Sequence, residues 1–229
     1  MKRILGEKIL FVTAHPDDES YQAAGTMLRN HEAGGTSYLA CATFGEKGRS
    51  HIKRKVTSGQ LKILRKKELV AVSKFLKVSG LLMPGLPDAE LGRKSIQDAF
   101  LKKLLPFAAK HGPAFIISFG KDGISGHIDH ISVGKVAKEV AKELKIPFLT
   151  FSAMPELNKS IEVLKKRRKH GKYVKRLKHR PHDIEIKISG LNKLKALHIH
   201  KSQLDPEGPF AELSPKTVKQ ILSKEYFSS

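Results

Sequence analysis

The sequence is poor in cysteine, in acidic residues and in long apolar runs, and each shortage excludes a class of protein. One cysteine among 229 residues cannot support a disulfide framework, so we expect a cytoplasmic protein. That residue, Cys41, lies within an apolar run and is expected to be an inert core residue. No apolar run approaches the roughly 20 residues that cross a bilayer, so we expect no transmembrane segment. The short apolar stretch near the N-terminus has no small-residue cleavage site and does not predict a signal peptide.

The shortage of acids leaves a strongly basic chain. Lysine and arginine total 43 against 22 acidic residues, which gives a formal net charge of +21. Such an excess attracts anions, namely nucleic acid, anionic lipid or a phosphorylated substrate. The densest segment, residues 165–180, has ten basic residues but a single aromatic residue, Tyr173, so a base-stacking surface is poorly supported. We therefore favour a solvated lysine-rich surface over nucleic-acid binding, and expect this segment to lie away from any catalytic site.

Strand and helix patterns alternate along the first 150 residues. This alternation predicts an α/β fold, a Rossmann-like three-layer sandwich with a mostly parallel sheet and a smaller C-terminal β/α extension. We expect one domain over residues 1–229, with the core in 1–153 and the basic segment, a strand and C-terminal helices in 154–229. The first strand-to-helix turn has no glycine-rich fingerprint, which disfavours dinucleotide binding.

A cluster of ionisable residues follows the first predicted strand, residues 9–14, and precedes a predicted helix over 21–33. Ligands bind at the carboxyl ends of strands in open α/β sheets. The spacing of His15 and Asp18 on a tight turn lets an imidazole and a carboxylate converge on one metal ion, while Asp17 could contact a metal-bound water. Taken alone, the cluster could equally be the acidic first turn of a helix.

A second polar loop, residues 123–130, follows the apolar run at 114–120 and offers a third ligand. A catalytic zinc usually has three protein ligands and one open position. The two loops meet if the first and fourth strands are neighbours, as they are at the switch point of a doubly wound sheet. Paired histidines alone are often surface residues, but two such clusters at strand ends favour a metal site.

These motifs resemble those of the LmbE-like, or PIG-L, family of zinc-dependent N-acetylglucosaminyl deacetylases. The family's AHPDDE motif is intact at residues 14–19, and its GHPDH motif appears as GHIDH at 126–130, with Ile128 in place of proline. Residues 196–203, ALHIHKSQ, are similar to the family's AxxxHxSQ segment. Weaker matches lie at residues 43–46, 65–69 and 85–88.

The resemblance implies a zinc-dependent hydrolase that removes the N-acetyl group from an N-acetylglucosamine-containing substrate. It implies one zinc per chain, held by His15, Asp18 and His130. Asp17 is then the general base that activates the metal-bound water. His127 would stabilise the oxyanion or protonate the leaving amine, and Asp129 would orient His127.

The resemblance also implies substrate contacts, for which we name Arg65, Asp88 and His200. From spacing alone Arg65 could instead pair with Glu68 at i, i+3. His200 could instead hold neighbouring site residues in place, or lie on the surface. The polar stretch at 45–59 is either a functional lid or a surface excursion. The expected partner is a small amino-sugar conjugate, which could be anionic, and the family leaves a homo-oligomer open.

Two other functions compete with deacetylation. The net charge of +21 is compatible with a nucleic-acid- or anion-binding protein built on a deacetylase scaffold. A metal-dependent hydrolase of another bond, such as a phosphoester, is the second alternative. One metal with a single neighbouring carboxylate suits amide hydrolysis better than the paired metals of many phosphoesterases.

Overall fold

A mixed seven-stranded sheet runs through the described part of the chain. The computed structural model describes residues 4–52, 55–152, 182–205, 210 and 213–229. Its strands are β1 (Lys8–Thr13), β2 (Thr36–Cys41), β3 (Val78–Leu82), β4 (Phe115–Ser118), β5 (Phe148–Phe151), β6 (Ile184–Lys187) and β7 (Lys224–Ser228). The strand order is β3-β2-β1-β4-β5-β7-β6. The first five strands are parallel, whereas β7 is antiparallel to both β5 and β6.

Helices pack on both faces of this sheet. They are α1 (Asp18–Gln22), α2 (Ala24–Glu32), α3 (Ser58–Phe75), α4 (Lys94–His111), α5 (Gly123–Gly126), α6 (Ile128–Glu143), α7 (Gly190–Ile199) and α8 (Pro215–Ile221). Alternate residues of β1 enter different cores, as the period of two of a strand requires. Ile9 and Phe11 pack with α2, α3 and α7, whereas Leu10 and Val12 pack with α4 and α6. The sheet is therefore the middle of three layers.

The structure confirms the predicted α/β class with a mostly parallel sheet. It also confirms that the first and fourth strands are neighbours, since Ile9 to Phe11 pair with Phe115 to Ile117. Cys41 is fully buried in the core, as expected. The basic segment 165–180 lies outside the described residues. Among the described residues no helix combines the length and the apolarity that crossing a membrane requires.

The helix predicted over residues 21–33 is in fact two helices that meet at Ala23, where φ is −148°. The break leaves the first backbone N–H groups of α2 without partners inside the helix, and a carboxylate from β7 caps them. The two oxygens of Glu225 accept hydrogen bonds from the amides of Gly25 (3.1 Å) and Thr26 (2.7 Å). An anion at a helix N-terminus is stabilised by the orphan N–H groups and by the helix dipole.

The same carboxylate forms a buried ion pair with α7. Lys193 Nζ lies 2.8 Å from Glu225 Oε1, and both side chains are 2% exposed. Glu225 thus joins three elements that are far apart in sequence, namely α2, α7 and β7. Sequence patterns did not predict β7, whose strand partners, β5 and β6, lie far from it in the sequence.

Breaking this ion pair should destabilise the fold strongly. We expect Lys193→Met to lower the free energy of unfolding by about 3–5 kcal/mol, because it leaves the Glu225 carboxylate buried without its cation. Urea unfolding followed by circular dichroism measures this loss. Lys94→Met is the matched control, because Lys94 pairs with Asp98 on an exposed face of α4 and should leave stability nearly unchanged. Equal losses in the two variants would contradict the assigned role of the buried pair.

Candidate active site

Two loops at the carboxyl edge of the sheet build the site. The first leaves β1 at Thr13 and enters α1 at Asp18, and the second leaves β4 at Ser118 and enters α6 at Ile128. Because β1 and β4 are adjacent parallel strands, their loops emerge side by side. His127 is the N-cap of α6 and lies next to the first loop, with its ring centroid 5.0 Å from that of His15.

His15, Asp18 and His130 converge within this pair of loops. Their potential ligand atoms all lie within 4.8 Å of one another. Asp18 is central, since Oδ1 lies 3.2 Å from His130 Nε2 and Oδ2 lies 3.7 Å from His15 Nδ1. Two imidazoles and one carboxylate are a donor set that a catalytic zinc accepts.

Supporting hydrogen bonds fix each of these three side chains. Asp18 Oδ2 accepts the backbone N–H groups of Ala14 (3.0 Å) and His15 (2.9 Å). His130 Nδ1 lies 3.1 Å from the carbonyl of Gly123, so it donates there and leaves Nε2 toward Asp18. His15 Nε2 lies 3.3 Å from Asp129 Oδ2, which leaves Nδ1 toward Asp18. Metal-binding histidines characteristically donate their second ring nitrogen to a carboxylate or a carbonyl, so the residues present fit a metal.

A second grouping, His15, His127 and Asp129, also has donor atoms within 4.8 Å. We favour the first set, because both oxygens of Asp129 accept backbone N–H groups, whereas in the described part of the chain only Oδ2 of Asp18 does so. The Asp129 oxygens accept the backbone N–H groups of Ala89 (2.9 Å) and Leu91 (3.1 Å). His127 Nδ1 accepts the backbone N–H of Asp129 at 3.2 Å.

The carboxylates make the site a favourable place for positive charge. Burial alone would lower the pKa of His15, but Asp129, Asp88 and Asp18 outweigh it and raise that pKa to about 10. At His130 burial also lowers the pKa, but Asp18 outweighs burial and the pKa is raised. A divalent cation would replace these protons, since metal binding at histidine releases them.

Asp17 lies beside the three donors in an unusual backbone conformation. Its φ is 114° and its ψ is −29°, a region that costs a non-glycine residue on the order of 1–3 kcal/mol. Burial raises the pKa of its carboxyl to about 6, although the guanidinium of Arg65 acts in the opposite direction. Asp17 is only partly buried, with its side chain 21% exposed, and a carboxylate with a raised pKa at a cavity is suited to accepting a proton.

Arg65 holds this loop from α3. It is 3% exposed, and its guanidinium donates to the carbonyls of Pro16 and of Gly45, the latter at 2.8 Å. Arg65 Nη2 also lies 3.4 Å from Asp17 Oδ2. Gly45 has φ of +62°, and a Cβ there would lie 2.0 Å from Arg65 Nη1, so a larger residue would be strained and would displace the guanidinium. The spacing-based pairing of Arg65 with Glu68 is not formed, because the Glu68 carboxylate accepts hydrogen bonds from Ser202 instead.

A polar cavity of about 520 Å³ opens over these groups. Its wall includes Asp88, whose Oδ2 accepts the backbone N–H of Lys47 at 2.7 Å and whose Oδ1 lies 3.2 Å from His15 Nε2. Lys47 and Gly48, from the polar stretch at 45–59, line the cavity. The full lining is His15, Asp17, Asp18, Tyr21, Gln22, Lys47, Gly48, Arg65, Asp88, Ala89, His127, His130 and Gln203.

Two sequence-predicted residues lie behind the cavity wall. Asp129 is fully buried, and its carboxylate contacts His15. The expected role of Asp129 in orienting His127 stays a prediction. His200 is 2% exposed and its Nε2 donates to Glu19 Oε1 at 2.6 Å. This placement favours a supporting role for His200 over direct substrate contact. Sequence reasoning did not assign Glu19 a role, although the residue stands in the first motif.

Backbone strain concentrates around the cavity. Among the described residues five non-glycine residues have positive φ, and three of them lie around this site. Asp17 is on the loop after β1, Ile124 is in α5 after β4, and Ala89 lies between β3 and α4. The other two, Lys77 and Lys145, follow the ends of α3 and α6. Strained residues persist where the surrounding structure determines them, and they cluster at functional sites.

Comparisons with known proteins show which family the chain belongs to. The chain belongs to the PIG-L family, whose sequence model, described as GlcNAc-PI de-N-acetylase, matches residues 10–141. The chain is 33% identical over 131 residues to a probable N-acetyl-alpha-D-glucosaminyl L-malate deacetylase 2 of Bacillus subtilis strain 168. That alignment covers 56% of this chain and 58% of the relative, so the chain matches little more than half of the relative's length.

Solved structures share the fold at low identity. N,N'-diacetylchitobiose deacetylase from Pyrococcus horikoshii gives a TM-score of 0.67 at 20% identity, covering 96% of this chain and 82% of that one. GalB, the 4-carboxy-2-hydroxymuconate hydratase of Pseudomonas putida KT2440, gives 0.64 at 18% identity, covering 94% and 82%. At these identities the likeness establishes the fold alone, and the hydratase shows that one fold hosts different reactions.

Proposed function

We propose that this chain is a zinc-dependent N-deacetylase that removes the acetyl group from an N-acetylglucosamine-containing substrate. The observation that carries the proposal is the convergence of His15, Asp18 and His130 beside Asp17 on one polar cavity. Membership in a family of N-acetylglucosamine-type deacetylases supports the same conclusion. The reaction adds water to the acetyl carbonyl carbon, breaks the C–N bond, and yields acetate and a free amine.

His15, Asp18 and His130 would hold the cation, one per chain. When bound, zinc supplies a Lewis acid that acidifies water and polarises an amide carbonyl. Asp88 and Asp129 hold the His15 ring in place at 3.2 and 3.3 Å, and the Gly123 carbonyl holds that of His130. The three donors are thus oriented by the chain itself rather than by the cation alone.

Asp17 would act as general base. Its carboxylate lines the cavity and would accept a proton at Oδ from the attacking water. Arg65 restrains the loop on the other side, through the Pro16 carbonyl and through Asp17 itself. The proton would then be passed to the leaving nitrogen, as the balance of the reaction requires.

His127 would contact the developing oxyanion or the leaving amine. Burial, followed by the neighbouring rings of His15 and His130, lowers the pKa of His127, so the neutral ring is favoured. Because Nδ1 accepts the Asp129 amide, the ring proton lies on Nε2, which is then a donor. A neutral donor suits stabilisation of the oxyanion better than protonation of the amine.

The cavity suits a small polar ligand. Its volume of about 520 Å³ is typical of small-molecule sites. Arg65, Asp88 and Gln203 offer hydrogen-bonding groups of the kind that sugar hydroxyls require. Lys47 lies at the same cavity, and the Bacillus subtilis relative is named for a malate conjugate, so anionic conjugates belong among the substrates to test.

An acetate-release assay tests the proposal. The panel should contain N-acetylglucosamine, its dimer, and phosphorylated, carboxylated and lipid-linked conjugates, each with and without chelator. We expect at least one acetylated sugar to release acetate, and chelator to abolish the release. A panel in which none reacts, while a phosphoester, a peptide or a hydratase substrate does, would contradict the proposal.

A further inference from the structure

A buried carboxylate–imidazole pair, Glu19 and His200, contacts the backbone of Asp17, the proposed general base. Glu19 is fully buried and His200 is 2% exposed, and neither lines the cavity. His200 Nε2 donates to Glu19 Oε1 at 2.6 Å, and Ser20 Oγ donates to the same oxygen at 2.7 Å. The other oxygen, Glu19 Oε2, accepts the backbone N–H of Asp17 at 3.0 Å. One carboxylate therefore connects the C-terminal part of the chain to the backbone of Asp17.

The Glu19 carboxylate contacts Asp17, a residue with an unusual backbone conformation. Asp17 has φ of 114°, the largest positive φ of any described non-glycine residue. Such a conformation persists only where neighbouring groups hold it. Arg65 holds the preceding carbonyl, that of Pro16, and Glu19 holds the Asp17 amide, so the loop is restrained on both sides.

We propose that Glu19 and His200 form a positioning pair that fixes the Asp17 amide and so aims the Asp17 carboxylate into the cavity. The inference rests on the proposed function, in which Asp17 is the base. His200 acts through Glu19 and does not touch the substrate. The pair explains why a histidine 181 residues away in sequence faces the first motif.

The test compares three substitutions. His200→Leu removes the donor at similar volume, whereas His200→Gln keeps an N–H donor that can reach Glu19. Ser202→Ala is the matched control, because Ser202 anchors the same segment to Glu68 on α3 without contacting Glu19. Metal content and thermal midpoint should be measured for each variant.

The first readout is hydrogen exchange at the Asp17 amide, which needs no substrate. We expect His200→Leu to raise its exchange rate at least tenfold, with His200→Gln and Ser202→Ala close to the wild type. The second readout is steady-state kinetics on an active substrate. We expect His200→Leu to lower kcat at least tenfold with KM within about twofold, and His200→Gln to restore most of kcat.

The outcomes separate this proposal from the proposed function. If no acetylated sugar reacts but exchange follows the expected order, the deacetylase assignment fails and the positioning pair stands. If His200→Leu leaves exchange unchanged, or if Leu, Gln and Ser202→Ala variants lose kcat equally, the pair has no positioning role. Should His200→Leu not fold, Glu19→Gln supplies the comparison, because one amide oxygen cannot accept from both His200 and the Asp17 amide. Unchanged exchange and unchanged kcat in Glu19→Gln would then overturn the proposal.

Discussion

Asp17→Asn should lower turnover of the acetylated sugar by about 10²–10⁴ while metal content stays near one ion per chain. General acid–base catalysis typically contributes that range, and asparagine keeps the shape of the side chain but cannot accept the proton. Asp17 lines the cavity beside His15, Asp18 and His130 without belonging to that set, so its loss should spare the metal.

Steady-state rates and metal analysis of the same preparation measure both halves of this prediction. Asp98→Asn is the matched control, because Asp98 is exposed on α4 and its substitution removes the same charge without touching the cavity. Retention of full activity in Asp17→Asn would exclude Asp17 as the base. Loss of the metal would instead make Asp17 a ligand.

Each of the substitutions His15→Ala, Asp18→Ala and His130→Ala should abolish tight zinc binding and reduce activity to background. Each removes one of three protein ligands, and Asp18→Ala also frees the amides of Ala14 and His15 from their shared acceptor. Zinc affinity can be measured by competition with a chromophoric chelator. His198→Ala is the control, since His198 is exposed on α7 and its Nδ1 contacts a carbonyl of its own helix. Full zinc occupancy in all three ligand variants would disprove the assignment.

The sequence predicted those features that depend on local spacing. The apolar segments before His15 and before residues 123–130 marked two strands, and the order of strands in doubly wound sheets placed them side by side. The structure confirms that adjacency. It also brings the side chains of His15, Asp18 and His130 together, so the ligand set remains the prediction that the geometry favours most.

Contacts between distant parts of the chain could not be predicted in this way. His200 reaches Glu19 across 181 residues, and Glu225 reaches Gly25 across 200. The sequence pattern predicted one continuous helix through Ala23, where the structure has two. The local sequence does not show that a carboxylate from β7 caps the N-terminus of α2. Arg65 and Glu68 have the spacing of a helical ion pair, but each has a buried partner on another element instead.

The burial of polar residues around the loops has a common cause. Carboxylates and a guanidinium are stable in the interior only when other groups satisfy them. Asp18, Asp88, Asp129 and Glu19 each accept backbone N–H groups, and Arg65 donates to backbone carbonyls. The loops and their charged side chains therefore stabilise one another.

Stoichiometric reconstitution with zinc measures whether one metal ion per chain is required for deacetylation. The protein is stripped with chelator, zinc is added back in known amounts, and acetate release is measured after each addition. We expect no release without zinc, a linear rise, and saturation at about one zinc per chain, with no rise in Asp18→Ala. Full acetate release from the stripped protein, or saturation only at two ions per chain, would contradict this expectation.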